Sequence, residues 1–258
     1  MLEIGAGLGS LTVPLAATGA RVLALEFDRA LVPALREVVA LYPRVGVLEA
    51  DALSLDWPKV LGRGRWKMVS NLPYNISVPV VLELLERAPQ IEEYLVMVQR
   101  EVGERLAAGA GDEAYGAVSV RVAYRAKASL LRRVGPTVFW PRPAVGSVLV
   151  RLTPLQAPPV TTPPERLFRV VREGFAERRK TMRSALRRLG LESGEADSAL
   201  RACGLDPRAR AETLSLEDFA RVAEELGERV PAEEGRAEEG RAEEGRAERG
   251  PVGGATDA

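Results

Sequence analysis

The chain has 258 residues, 46% of them apolar, and its 36 basic side chains are matched by 36 acidic ones. That length accommodates one good-sized domain and a smaller one. The lone cysteine, Cys203, excludes disulfides and thiolate zinc clusters, and the complete lack of histidine excludes Ser-His-Asp and Cys-His nucleophile systems and any imidazole base or metal ligand. No apolar run approaches the roughly 18 residues of a membrane span, and no signal peptide is recognisable, so the expectation is a cytoplasmic, metal-free protein.

Residues 1–4 read as a short strand running into the glycine loop GAGLGSLT (5–12). An amphipathic helix to about residue 17 and a strand over 21–25 complete a βαβ unit. Glu26 closes that strand, about 20 positions beyond the loop, where nucleotide-binding sheets hold ribose hydroxyls. The spacing is E-x-G-x-G-x-G from Glu3 through Gly5 and Gly7 to Gly9. The third glycine comes one residue early for a pyrophosphate cradle, which suits S-adenosylmethionine (SAM) better than NAD.

A helix over 29–41 and a strand over 45–48 follow. Asp51, just past that strand, suits either an N-cap or an acceptor for an adenine amine. The run WKMV (66–69) reads as a buried strand that delivers SNLPYN (70–75) to the carboxyl edge of the sheet. Asn71 and Asn75 are the only asparagines in the chain. An amide beside a Pro-stiffened turn and an aromatic ring can accept from an exocyclic amine while the ring stacks on a flat base. The same residues also make an ordinary strand-to-helix turn. Ser77 is expected to N-cap a helix over 78–87, with Pro79 in its first turn.

Beyond it come a strand over 94–98, a helix over 101–107 and a Gly-rich loop over 109–116. Residues 118–124, 129–134 and 147–152 read as strands. Phe139 lies in a stiff loop before the last of these and can either close on the base stacked by Tyr74 or simply pack. Five prolines in 154–164 mark a linker. Four helical patterns follow, over 165–175, 181–189, 194–203 and 215–226. From residue 232 the pentad AEEGR occurs three times, and glycine every fifth residue with no apolar face predicts a disordered tail.

Two basic blocks break the neutral balance. No acid occurs among Arg121, Arg125, Lys127, Arg132, Arg133, Arg142 and Arg151; a second cluster comprises Arg178, Arg179, Lys180, Arg183, Arg187 and Arg188. Such blocks suggest a polyanion face.

Taken together, LEIGAGLGSLT (2–12), LEFD (25–28), EADA (49–52), NLPYNIS (71–77), MVQREVGERL (97–106), FWPRP (139–143) and FAERRKTMR (175–183) resemble the ribosomal RNA adenine dimethyltransferase family, specifically its bacterial small-subunit type. The resemblance implies an α/β fold: a Rossmann-like SAM-dependent methyltransferase sheet with helices on both faces, then a small all-helical domain. The expected division is a catalytic domain over 1–154, a helical rRNA-binding domain over 155–228 and a low-complexity tail over 229–258. The implied activity is N6,N6-dimethylation of two adjacent adenosines near the 3′ end of small-subunit rRNA, by a monomer acting on an immature subunit. A large-subunit methyltransferase and a non-catalytic assembly factor are the alternatives.

Carried over by motif, Gly5 would meet the methionine side of SAM, Glu26 its ribose, Asp51 its adenine, and Asn71 the region beside the sulfonium. Leu72, Pro73 and Tyr74, with Phe139, would receive the target base. Arg142, Arg178, Arg179, Lys180 and Arg183 would face rRNA. The family also carries a Gln-x-Phe-Leu segment upstream of the position of Met1, and Gly146 stands where it usually has Asp.

Overall fold

The computed structural model describes residues 1–139, 142–177 and 179–229. Its centre is one seven-stranded sheet of order β3-β2-β1-β4-β5-β7-β6, built from β1 (Leu2–Ile4), β2 (Val22–Glu26), β3 (Val45–Glu49), β4 (Trp66–Asn71), β5 (Ile91–Gln99), β6 (Ala126–Val134) and β7 (Ser147–Pro154). The first five strands run parallel. Strand β7 then inserts antiparallel between β5 and β6, so the last strand in sequence is internal and β6 forms the edge.

From β1 the chain first moves outward to β2 and β3 and then returns to the other side of β1 as β4. This reversal opens a crevice at the carboxyl ends of β1 and β4, the place where open α/β sheets bind ligands. Leu2 pairs with Met68 across these strands, and the Ile4 amide donates to Ser70 Oγ at 2.9 Å. The glycine loop and the SNLPYN segment are therefore neighbours in space despite lying some 65 residues apart.

Helices α1 (Thr12–Ala17), α2 (Val32–Val38), α3 (Trp57–Leu61), α4 (Ser77–Arg87) and α5 (Arg100–Ala107) accompany the parallel strands. Helix α4 buries Val80, Val81 and Leu84 in the sheet core with Met68, Tyr94 and Val96. The i, i+1, i+4 spacing puts these three on one face. After α6 (Ala117–Arg125) and the β6–β7 hairpin come α7 (Pro164–Phe175), α8 (Met182–Arg188), α9 (Ser193–Ala202) and α10 (Leu216–Leu226). They share a second core around Leu167, Leu186, Leu200 and Phe219. A reciprocal cap starts α10: Asp218 N donates to Ser215 Oγ at 3.1 Å, and Ser215 N donates to Asp218 Oδ2 at 2.8 Å.

Three local expectations need correction. Residues 118–124 form helix α6, not a strand. Their apolar alternation arises because α6 is wedged between two cores: Val122 packs into the sheet cluster, while Val120 and Tyr124 join the helical one. A helix covered on several sides loses the one-sided stripe that normally reveals its period. Ser77 is the first residue of α4, with Ile76 in the N-cap position; its hydroxyl donates back to Tyr74 O at 3.0 Å, closing the short 3-10 turn Tyr74–Ile76. Strand β4 also runs two residues further than expected, so that Asn71 still pairs with Met97. The repeat tail lies outside the described residues from position 230. Among the described residues no helix is long and apolar enough to cross a membrane.

Candidate functional site

The crevice is floored by the loop leaving β1. The amides of Gly5 and Ala6 both donate to Leu25 O, at 2.9 and 3.1 Å, which pins the loop to the end of β2. Gly5 has φ +74°, and a Cβ there would meet Pro73 Cδ at 2.9 Å and Cγ at 3.0 Å. Glycine is required at Gly5 on both counts, conformation and space. The contact brings the glycine loop flush against the Asn71–Tyr74 turn. Gly7, at φ +56°, has nothing within 4 Å of its would-be Cβ, so the loop faces open space there.

Glu26 is 7% exposed. Its carboxylate accepts from Gly7 N at 2.7 Å and from Asp28 N at 2.9 Å, fixing the acid at the rim of the loop. Glu3 is more deeply placed, at 2% exposure. Burial pushes its carboxyl up to about 7; the nearby Thr12 hydroxyl works the other way, and the Glu26 carboxylate adds to the rise. Glu3 Oε2 and Thr12 Oγ1 are both buried without a partner at hydrogen-bonding geometry. Unsatisfied buried oxygens are costly, and a carboxylate in this state suits a cation.

The raised value has a measurable consequence for stability. The folded chain holds the Glu3 proton up to about pH 7, whereas an ordinary glutamate releases it near 4.5. Folding therefore loses stability as pH climbs through that window. Glu3→Gln, which cannot ionise, is expected to melt close to the wild type at pH 4.5 and above it at pH 8, in ligand-free thermal melts. A melting difference that is flat with pH would refute the assignment.

On the β4 side, Asn71 and Pro73 are exposed and Tyr74 is half-buried. Leu72 is buried at 1% and its amide donates to Met97 O at 3.1 Å, which holds the turn against β5. The Tyr74 hydroxyl lies 3.0 Å from Ser147 Oγ on β7. Phe139 is half-buried, just past the 3-10 turn Pro136–Val138 in the hairpin loop. Asp51 does not cap a helix: its Oδ1 accepts from Leu53 N at 2.9 Å to close a turn, and the N-cap of α3 is Asp56. Among the described residues, no group of three or more Cys, Asp or Glu is arranged to hold a metal ion.

The sequence-predicted basic residues fare unevenly. Arg142, Arg179 and Lys180 are exposed, and Arg178 lies outside the described residues. The Arg183 guanidinium is engaged by both carboxylate oxygens of Asp197 and so clasps α8 to α9. In the acid-free block, acids from other segments approach three arginines: Arg121 faces Glu86 at 3.7 Å, Arg133 faces Glu104 at 3.7 Å and Arg151 faces Glu93 at 3.8 Å.

Two features escaped the sequence reading. Phe27 is 70% exposed immediately after Glu26, and Leu8 is 56% exposed within the glycine loop. Both lie on the loop side of the sheet beside the buried Glu26 carboxylate, and Phe27 is visible in LEFD (25–28). A groove of about 930 Å³ opens elsewhere, between α5, residues 112–118, β6 and Phe175. None of the predicted site residues lines it.

The sequence matches the ribosomal RNA adenine dimethylase family over residues 1–228. The chain belongs to that family. Among curated relatives, the ribosomal RNA small subunit methyltransferase A of Thermobifida fusca is 46% identical over 229 residues, covering 87% of this chain and 79% of its own. The Pseudomonas aeruginosa protein of the same name is 43% identical over 231 residues, covering 88% of this chain and 84% of its own. A solved dimethyladenosine transferase from Plasmodium falciparum shares the fold of this adenine dimethylase at a TM-score of 0.72, with 24% identity over 88% of this chain and 90% of that one. The 23S rRNA methyltransferase ErmE aligns at a TM-score of 0.66, with 26% identity over 87% of this chain and 89% of that one.

Proposed function

We propose that this adenine dimethylase methylates N6 of two adjacent adenosines near the 3′ end of small-subunit rRNA, twice each, in an immature ribosomal subunit in the cytoplasm. The observation that carries this reading is the Gly5–Pro73 contact. It supports the reading because the glycine loop and the Asn-Leu-Pro-Tyr turn lie side by side, as a methyl donor and an acceptor amine would require.

The residues present fit SAM. Glu26 is held at the loop rim for ribose hydroxyls. Phe27 offers an exposed apolar face to the adenine ring, and Asp51 lies past the end of β3 for its amine. The buried, unpartnered Glu3 oxygen suits the α-ammonium. When bound, SAM supplies an electrophilic methyl group on a sulfonium.

An adenine amine is a weak nucleophile because its lone pair is delocalised into the ring. The Asn71 side-chain oxygen and the Leu72 carbonyl accept its two N–H groups and favour a pyramidal nitrogen with a localised lone pair. Tyr74 stacks on the base, joined by Phe139 from the hairpin loop, worth roughly 1–3 kcal/mol per base. The acceleration comes mainly from holding two reactants in line. The methylated amine sheds its proton readily, so no strong base is needed, in keeping with a chain that has no histidine.

Residues 1–154 are proposed as the catalytic part and 155–228 as an rRNA-contacting helical part. Arg179, Lys180 and Arg142 meet phosphates, whereas Arg183 acts chiefly through its Asp197 clasp. The test is transfer of labelled methyl groups to immature small subunits and to large-subunit rRNA, mapped by primer extension. Paired stops near the 3′ end of the small-subunit RNA are expected. Stops only in large-subunit rRNA, or binding to small subunits without transfer, would overturn the reading.

A further inference from the structure

Ser147 is 2% exposed, and among the described residues its hydroxyl has one partner, the Tyr74 phenol at 3.0 Å. The residue opens β7, opposite Gln99 on β5 and Val134 on β6. Val134 and Ser147 thus close the base of the hairpin whose loop carries Phe139. The Arg100 amide, donating to Gly146 O at 3.0 Å, fixes that base against the start of α5. On the other side, Tyr74 sits in a single 3-10 turn, and its half-buried ring turns about two rotatable bonds. A hydrogen bond at the ring's far tip restricts both rotations at once. Breaking it would leave the Ser147 hydroxyl buried and unpaired, so the arrangement resists displacement.

We propose that Ser147 is a positioning residue for methyl transfer: its hydroxyl sets the tilt of the Tyr74 ring before the adenine arrives. The same bond ties that ring to the hairpin bearing Phe139, so both walls of the base pocket are set from one buried point. The inference rests on the reading of Tyr74 as the base-stacking ring. It goes beyond that reading by assigning the ring's orientation to a residue that touches neither base nor cofactor. Tilt matters because the base plane decides whether the nitrogen lone pair points along the transfer axis.

The test is a double-mutant cycle with Ser147→Ala and Tyr74→Phe, read by single-turnover methylation of small-subunit RNA and by SAM calorimetry. Tyr74→Phe keeps the stacking ring and, being half-exposed, leaves the fold intact. Each single change is expected to lower the transfer rate about tenfold, the value of one neutral hydrogen bond. SAM affinity is expected to stay constant, and the double variant to be no slower than either single one. Ser147→Thr, which keeps the hydroxyl, is expected to recover to within about twofold of wild type. In the RNA-free protein, the Tyr74 ¹³Cζ resonance is expected to move in Ser147→Ala, a readout independent of turnover. Unchanged transfer in both single variants, multiplicative losses in the double, or an unmoved Tyr74 resonance would overturn the proposal. Absence of transfer in the wild type would instead count against the function itself, leaving the resonance to decide the hydrogen bond.

Discussion

Asn71→Ala is expected to lower the methyl-transfer rate by about 10²–10³-fold, the usual cost of removing one aimed polar group from a reacting centre. The side chain is exposed at the last position of β4, while its backbone remains paired with Met97. Truncation therefore removes the amide oxygen without opening the sheet. The adenine amine would keep the Leu72 carbonyl but lose its second acceptor, and with it the geometry that localises its lone pair. The stacking proposed for Tyr74 and the basic surface would be untouched, so RNA affinity measured by filter binding should stay within about threefold. Near-normal single-turnover transfer by this variant would remove Asn71 from the reaction.

The second large effect concerns Gly5. An alanine there must adopt φ near +74° and bring its Cβ to 2.9 Å from the Pro73 ring. The left-handed backbone costs about 1–2 kcal/mol and overpacking about 1–3 kcal/mol, so Gly5→Ala should lose about 2–5 kcal/mol in urea denaturation. A proline ring cannot swing aside as a flexible side chain would. The strain should appear as a displaced loop and a SAM affinity at least about tenfold weaker, since about 1.4 kcal/mol is enough for that. Gly7→Ala is the natural control. Gly7 also has positive φ, yet nothing lies within 4 Å of its would-be Cβ, so its stability loss should stop at the conformational part. Equal losses in the two variants would deny the contact with Pro73 any special weight.

The parts of this site that could be read in the sequence are those whose chemistry is local. Gly5, Gly7 and Glu26 follow from one βαβ unit, and Asn71 through Tyr74 from one strand-to-helix turn. Helices α7 to α10 announce themselves by apolar stripes. What escaped was set by distant neighbours. Alternating Val, Ser and Tyr in α6 looks strand-like until two separate cores are seen to flank it. The Tyr74–Ser147 bond joins residues 73 positions apart, and no spacing rule anticipates it. Arg183 reads as a free cation in a basic run, but Asp197, 14 residues on, claims it. The acid-free block likewise meets its counter-charges only after Glu86, Glu93 and Glu104 fold against it. The unusual proton affinity of Glu3 depends on a burial that appears only once β1 is enclosed between β2 and β4.

Helix α6 carries one more implication. Val122 is mortared into the sheet while Val120 and Tyr124 are mortared into the helical layer, so a single rod is embedded in both. Neither layer can shed that rod without exposing apolar surface in the other. Heat or denaturant should accordingly dismantle the two together, as one cooperative body, and the helical layer cannot pivot far from the sheet.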